Sequence, residues 1–514
     1  MSADQNTALS SDLEPITMSA PGGEVVQFPG TVPPAPGLSA EDYGDLDLIE
    51  SYGKPAYFAR NKDGDVHVTN ANENYWAADY DKKHTILFEQ GEKIFYQYEA
   101  DTGLYEPISE AAIRRAISAS MLDFSRLHED LEDLEKKRTA GTLSAVVRQL
   151  RGIVEARDAF VNRIMAIHLK NRMLFFPTMA TMLPVPFSPI YRSRNQSPII
   201  YYLAATCPRF LGELVGPAVS AGDLLILQKM AGQFLLGRNP AQRILLLDGE
   251  AGRGKTQFVN VIRSIVGAHN TAQLRTELLG QRFETSRFLG RTLLVGSDVN
   301  PGFLAAPGAE VLKALVGGDL LDAEKKGGNE VFRFKGDFNV VIVSNAQLKV
   351  KLQGDIGAWR RRMVIVRYEA PAPKIKIPNF AELLVKEEGS GIINWCLEGL
   401  KLLMDDIRQT GDIRMPADQT TRVDTLLDES DSLRNYLRAN VRRTDGSDLT
   451  VSELITAYAD FCVSKDWTPI PEWQFQRQLP SLMLELFQTP KSNDCRRDGK
   501  AARGYHKVGF CPEA

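Results

Sequence analysis

The sequence predicts an α/β protein: a core of apolar strands and helices, a mixed, largely helical region before it and a small helix-and-hairpin domain after it. Three observations predict this. Short apolar runs recur within ILLLD (244–248), RTLLVGSD (291–298), DFNVVIVSN (337–345) and AWRRRMVIV (358–366), as in strands. The first run passes through a glycine-rich octet into QFVNVIRSIVG, which has helical periodicity. Outside these segments the texture changes, to alternating bursts upstream and amphipathic helical patterns downstream.

A chain of 514 residues predicts two to four domains, and its apolar (43%) and charged (25%) fractions are those of a globular protein. A net charge of −4 excludes a globally basic nucleic-acid coat but leaves room for local basic surfaces. The five cysteines are far apart with no CxxC pair, which predicts neither a zinc site nor a disulfide framework and suits a reducing compartment. No apolar run reaches the ~18 residues of a membrane span, and the N-terminus lacks a signal-peptide pattern. The expectation is a soluble intracellular protein with no membrane partner.

Residues 1–40, rich in Ser, Ala, Gly and Pro, bury too little to offset their ordering entropy and are expected to be a disordered arm. Residues 41–107 form a small β-rich region: AYFAR, HTILFE and KIFYQYE are strands, with turns at Asp63–Gly64 and Thr102–Gly103. Residues 108–223 form a helical region: Leu127, Leu131 and Leu134 repeat at helical spacing, TAGT (139–142) breaks the pattern, RQLRGIVEARDAFVNRIMAIHL resumes it, and a proline-rich connector follows over 177–210. The core domain spans 224–410, beginning with the apolar helix LLILQKMAGQFLLG and ending in a helix near Thr410.

The octet GEAGRGKT (Gly249, Glu250, Ala251, Gly252, Arg253, Gly254, Lys255, Thr256) fits the phosphate-loop pattern G-x-x-x-x-G-K-[ST], between a buried strand and a helix. Glycines let backbone N–H groups turn around phosphate oxygens, and the helix adds its positive end. Lys255 is expected to reach the β and γ phosphates of ATP and Thr256 to ligate Mg²⁺. Downstream, Asp298 ends the second strand, where a carboxylate holds Mg²⁺ or orients water, or simply makes a turn. Asn345 ends the third, as a γ-phosphate sensor or a strand terminator. Arg360, Arg361 and Arg362 precede the fourth, either as a solvated basic turn or as the source of an arginine that completes a neighbour's ATP site. Between strands two and three, EKKGGNE turns a hairpin that carries Lys325 and Lys326, exposed lysines or a probe for a phosphate backbone.

As an ordered set, GEAGRGKT, LLVGSD, LKALVGGD (312–319), VVIVSN and WRRR resemble the superfamily 3 helicases, which are P-loop AAA+ ring ATPases. More narrowly the set is similar to the phage and plasmid primase-helicase group related to the poxvirus primase-helicase. GSGIINWCLEGL (389–400) resembles the helical segment that follows the ATPase in that group, and the likeness spans about residues 160–400. It implies a P-loop AAA+ core, a homo-hexameric ring with ATP and Mg²⁺ between subunits, and activity on single-stranded and forked DNA in a bacterial host's cytoplasm. It implies phosphate-loop roles for Lys255 and Thr256, the acidic role for Asp298 and the sensor role for Asn345. Arg362 is the first choice for the trans-acting arginine and Arg361 the second, and Lys325 and Lys326 fall near the DNA-tracking hairpin. One departure is Ser297, where the family often has a second acidic residue.

Residues 430–514 read as three helices and a basic hairpin carrying Arg496, Arg497, Lys500 and Arg503, the order of a winged helix, with Ser452 or a neighbouring hydroxyl capping the second helix. No paired acidic residues suggest a primase upstream, which leaves primer synthesis to a separate primase or polymerase partner. Residues 108–223 are expected to act as the ring's collar. The combined expectation is an ATP-dependent DNA helicase of a phage, plasmid or satellite element; the rival is a replication initiator that uses ATP to assemble on an origin.

Overall fold

The structure, a computed structural model, describes residues 45–161, 164–178, 181–297, 299, 308–324, 331–345, 356–372, 377–465, 467, 469–497 and 499–511. The N-terminal region contains α1 (Leu46–Tyr52), β1 (Ala56–Arg60), β2 (Val66–Ala71), α2 (Glu73–Lys83), β3 (Ile86–Glu89), β4 (Ile94–Glu99), β5 (Leu104–Ile108), α3 (Glu110–Leu127), α4 (Ala140–Ile153), β6 (Glu155–Ala156), β7 (Ala166–Leu169), β8 (Arg172–Thr178) and β9 (Thr181–Val185). The three bursts named from sequence are β1, β3 and β4. Helix α2 was not anticipated, because Tyr75 to Tyr80 are all buried and the segment has no amphipathic stripe. The Ser109 hydroxyl caps α3, which buries Ile113, Ile117 and Met121 against Leu131, Leu134 and Val147. The helix expected to run through AIHL stops at Ile153; β7 then pairs with β8, where Ile167, His168 and Leu169 are buried.

The central domain follows: α5 (Ala221–Leu236), β10 (Ile244–Asp248), α6 (Lys255–Val266), β11 (Thr271–Gln273), β12 (Leu293–Gly296), α7 (Ala309–Gly317), β13 (Leu320–Glu324), β14 (Val331–Lys335), β15 (Asn339–Val343), α8 (Ile356–Arg360), β16 (Met363–Arg367) and α9 (Phe380–Thr410). Its five-stranded sheet has the order β11-β12-β15-β10-β16 and is parallel throughout. Alternate residues face opposite layers. Leu245, Leu247, Val341 and Val343 meet α5, α6 and α9; Ile244, Leu246, Val340 and Ile342 meet α7 and Trp359. Both faces are covered, so the strands read as unbroken apolar runs. The hairpin β13–β14 stands apart from this sheet as an antiparallel pair.

The last unit contains α10 (Ala417–Ser430), α11 (Ser432–Asn440), β17 (Val441–Thr450), α12 (Val451–Ser464), α13 (Glu472–Phe487), β18 (Ser492–Arg497) and β19 (Lys500–Phe510). Three antiparallel strands in the order β17-β19-β18 close on α11–α13 around Tyr436, Leu454, Tyr458, Phe475 and Tyr505. The expected three helices and hairpin are present, with an unexpected strand, β17, between the first two helices. The cap of α12 is Thr450 rather than Ser452: its hydroxyl accepts from the Glu453 N–H while Glu453 reaches back to the Thr450 N–H, a reciprocal capping box. Among the described residues no helix is long and apolar enough to cross a membrane, and all five cysteines are free.

Candidate functional site

In an open parallel sheet the crevice beyond the carboxyl ends of the strands is where ligands bind, at the point where successive connections leave on opposite faces. Here that point lies between β10, whose connection runs through α6 on one face, and β15, whose connection runs through α8 to Trp359 on the other. The octet sits there. Gly249, Gly252 and Gly254 have φ of 135°, 84° and 98°, values that glycine adopts without strain. A β-carbon at Gly249 would lie 2.5 Å from the Tyr368 carbonyl oxygen, so the loop is pressed against the end of β16.

Lys255 opens α6 and is 3% exposed; its Nζ donates to the carbonyls of Gly249 (2.5 Å) and Glu250 (2.8 Å), which holds the ammonium inside the loop. Thr256, next on the helix, is exposed. Arg253, which had no assigned chemistry from sequence, ties the loop to the end of β16 by donating to the Glu369 carbonyl at 2.6 Å, and it also bonds Glu250. Ala251 is exposed at the loop's tip.

Ser344 and Asn345 follow β15 at this same edge; Ser344 is buried and donates its N–H to the Leu247 carbonyl at 2.9 Å, while Asn345 is exposed. Asp298 lies outside the described residues, as do Lys325 and Lys326; Gly296 and Glu324, which lead towards them, end β12 and β13. Two residues at the edge escaped sequence reasoning. The Asp248 carboxylate accepts the Gly249 N–H at 2.9 Å and lies 3.5 Å from Arg367 Nε. Both are final residues of apolar strands, the signal that drew attention to Asp298 and Asn345.

The arginine step is at the other end. In the register of β10 with β16, Ile244 pairs with Met363 and Asp248 with Arg367, so Arg360–Arg362 sit at the amino end of β16. They are separated from the glycine loop by about 13 Å, the length of β10 at roughly 3.3 Å per residue. Arg360 pairs with Asp424 at 2.7 Å. Arg361 is exposed. Arg362, the sequence's first choice for a trans-acting group, is 8% exposed and donates to the Ala358 carbonyl at 3.1 Å, close to Gly317 and Asp319. A guanidinium sequestered in its own subunit is poorly placed to serve another.

In the C-terminal hairpin Arg496, Lys500 and Arg503 are exposed. Arg497 is not free for an external phosphate: it donates to Asp448 Oδ1 and Glu453 Oε1, both at 2.7 Å. A separate cavity of about 240 Å³, lined by Glu92, Phe160, His168, Arg194 and Arg333 among others, lies between the N-terminal region and the sheet, away from the glycine loop. Of the guanidiniums that line it, Arg194 pairs with Glu92 at 2.6 Å and Arg333 with Asp322 at 2.7 Å.

A protein-family model described as a family of unknown function, DUF5906, matches residues 247–362, from the end of β10 to the arginine step. No curated protein matches the chain. Among solved structures, an apo structure of the NrS-1 C-terminal region is similar at 11% identity and a TM-score of 0.45, covering 84% of this chain and 98% of that one. A second apo structure of that region is similar at 10% identity and 0.45, covering 85% and 99%. Neither likeness assigns an activity.

Proposed function

We propose that this chain is an ATP-dependent DNA helicase, a ring-forming replicative motor of a phage, plasmid or satellite element. The observation that carries the reading is the separation just described: a phosphate-type loop and a run of arginines occupy opposite ends of the same two parallel strands. The loop's glycines, the start of α6 and the enclosed Lys255 ammonium make a cradle whose chemistry fits a nucleoside triphosphate. Thr256 and Asp298 would hold Mg²⁺, which neutralises charge on the phosphates when bound. Asn345, beside the loop, is suited to orienting the attacking water.

An arginine from the far end of β16 cannot turn back to its own loop, but in a closed ring it faces the loop of the next subunit. Exposure moves the preference from Arg362 to Arg361 for that role. The β13–β14 hairpin would carry Lys325 and Lys326 to a strand in the channel, and the C-terminal unit, read as a winged helix, would set Arg496, Lys500 and Arg503 against backbone phosphates.

A forked duplex, with ATP hydrolysis measured in parallel, tests the proposal. Strand displacement that requires ATP and Mg²⁺ and vanishes in Lys255→Ala supports it. Normal hydrolysis by Lys255→Ala would refute it. DNA-stimulated hydrolysis with no displacement would move the chain to the initiator class.

A further inference from the structure

The three strands of the C-terminal unit bring together residues that no sequence motif joins. Asp448 on β17, Cys495 on β18 and His506 on β19 each offer a donor atom, and the three atoms lie within 4.8 Å of one another. Asp448 and His506 are register partners across β17 and β19. The His506 Nδ1 lies 3.9 Å from Cys495 Sγ and 3.8 Å from Asp448 Oδ2. We propose that Asp448, Cys495 and His506 form a binding site for a zinc-type divalent ion, with its fourth position open to solvent.

Three features support it. First, the spacing suits the ion. Tetrahedral zinc with S, N and O ligands has donor–donor edges of about 3.4–3.6 Å, so the two edges that meet at His506 need to contract by only a few tenths of an ångström, and the third lies within 4.8 Å. Thiolate, imidazole and carboxylate together suit zinc, whereas magnesium and calcium take oxygen. Second, the ring is oriented for ligation. His506 Nε2 lies 2.7 Å from Asp494 Oδ1; the carboxylate accepts, which keeps the proton on Nε2 and turns the Nδ1 lone pair to the other two donors. This carboxylate–histidine arrangement is the usual outer support of a metal ligand. Third, negative charge collects at this site among the described residues. Arg497 occupies Asp448 Oδ1 and both oxygens of Glu453, leaving one guanidinium among the three carboxylates of Asp448, Glu453 and Asp494. Asp448 Oδ2 remains turned to the imidazole.

Access and packing fit as well. Cys495 is buried while the His506 side chain is 45% exposed, so an ion can enter from the His506 side. Gly504 leaves the room that the thiol fills: a β-carbon there would sit 2.8 Å from Cys495 Sγ. The ion would staple β17, β18 and β19, the strands that present Arg496, Lys500 and Arg503. The inference is independent of the helicase reading.

The test uses the full-length chain, stripped with a chelator and titrated with Zn²⁺ against a chromophoric competitor, then with Co²⁺. The expected result is one tightly held ion per chain and a thiolate-to-cobalt charge-transfer band. Cys495→Ser and His506→Gln should abolish both, and Cys511→Ser should leave both intact. Asp494→Asn, which leaves every ligand in place, should weaken Zn²⁺ binding by about 10- to 100-fold. Wild-type protein that binds no more Zn²⁺ than Cys495→Ser would overturn the proposal, as would a cobalt spectrum without the thiolate band.

Discussion

Asp248 and Arg367 end neighbouring parallel strands as register partners, with the carboxylate 3.5 Å from the guanidinium and the glycine loop starting at the next residue. The Arg367 side chain is 39% exposed and its ion pair is long, so the guanidinium is loosely held. A triphosphate in the loop would offer it a stronger, charge-assisted partner on its own subunit. Arg367→Ala is therefore expected to lower kcat/KM for ATP by about tenfold, with Arg367→Lys recovering part of the loss. Steady-state hydrolysis decides it, and wild-type kinetics in Arg367→Ala would remove Arg367 from the site.

Arg361 and Arg362 are adjacent but sit in different environments, one exposed and one buried. Arg361→Ala is expected to fold normally and to lose about 10³-fold in kcat, the scale of an arginine supplied in trans. Mixing it with inactive Lys255→Ala subunits should restore some hydrolysis, because a mixed ring contains interfaces with both groups intact. Arg362→Ala should instead lower thermal stability, by about 1–3 kcal/mol for disrupting buried hydrogen bonds. Failure of the mixture to recover any hydrolysis would argue that Arg361 acts within its own subunit or not at all.

The placement of much of the candidate site was legible because its parts lie in contiguous runs. The octet, the apolar strands and the arginine step are each local in sequence, and burial on both faces of the sheet leaves a strong apolar signal. What escaped was non-local or lacked a period. Helix α2 is buried all round and shows no stripe. Strand β17 contains Arg442, Arg443, Thr444, Asp445 and Gly446, a run that resembles a turn; β19 pairs with Arg442 and Arg443 and again from Asp448, with an irregularity between them. Cysteine spacing could not show that strand pairing brings Cys495 to Asp448 and His506 from across the domain. Sequence could not separate Arg361 from Arg362 because the three arginines form one basic run, and only packing makes one exposed and the other buried.

Glu453 makes the C-terminal unit sensitive to acid. Its hydrogen bonds from Arg497, with those of the Thr450 cap, hold its carboxyl down at about 2, against an ordinary value of 4.5. A depressed folded-state pKa contributes stability that is present above the unfolded value and is lost as pH falls from about 4.5 towards 2. The side chain is 37% exposed, so solvent screening keeps the contribution modest. Glu453→Gln should melt lower than wild type at pH 7, with the two melting curves converging over that acid window. A constant difference from pH 7 to pH 2 would mean that the charge of Glu453 is not what stabilises the cap.

The α5–α9 crossing that backs the sheet depends on two glycines. A β-carbon at Gly232 would lie 2.4 Å from the Cys396 carbonyl oxygen, and one at Gly399 would lie 2.0 Å from that of Gln228. These are rigid backbone atoms of the partner helix, so a methyl group can be accommodated only by separating the helices. Separation would open the layer in which Met230, Phe234, Cys396 and Leu400 pack against the strands that carry the glycine loop. Gly399→Ala is expected to destabilise by about 1–3 kcal/mol, the usual cost of overpacking, and to weaken ATP hydrolysis through the displaced sheet. Gly152, near the end of α4, has nothing within 4 Å of its virtual β-carbon and no positive φ. Gly152→Ala should therefore stabilise by about 0.5–1 kcal/mol through helix propensity and a less flexible unfolded chain. Thermal melts of both variants check the argument: equal effects at the two positions would mean that the α5–α9 contact yields to a methyl group and that the sheet does not depend on it.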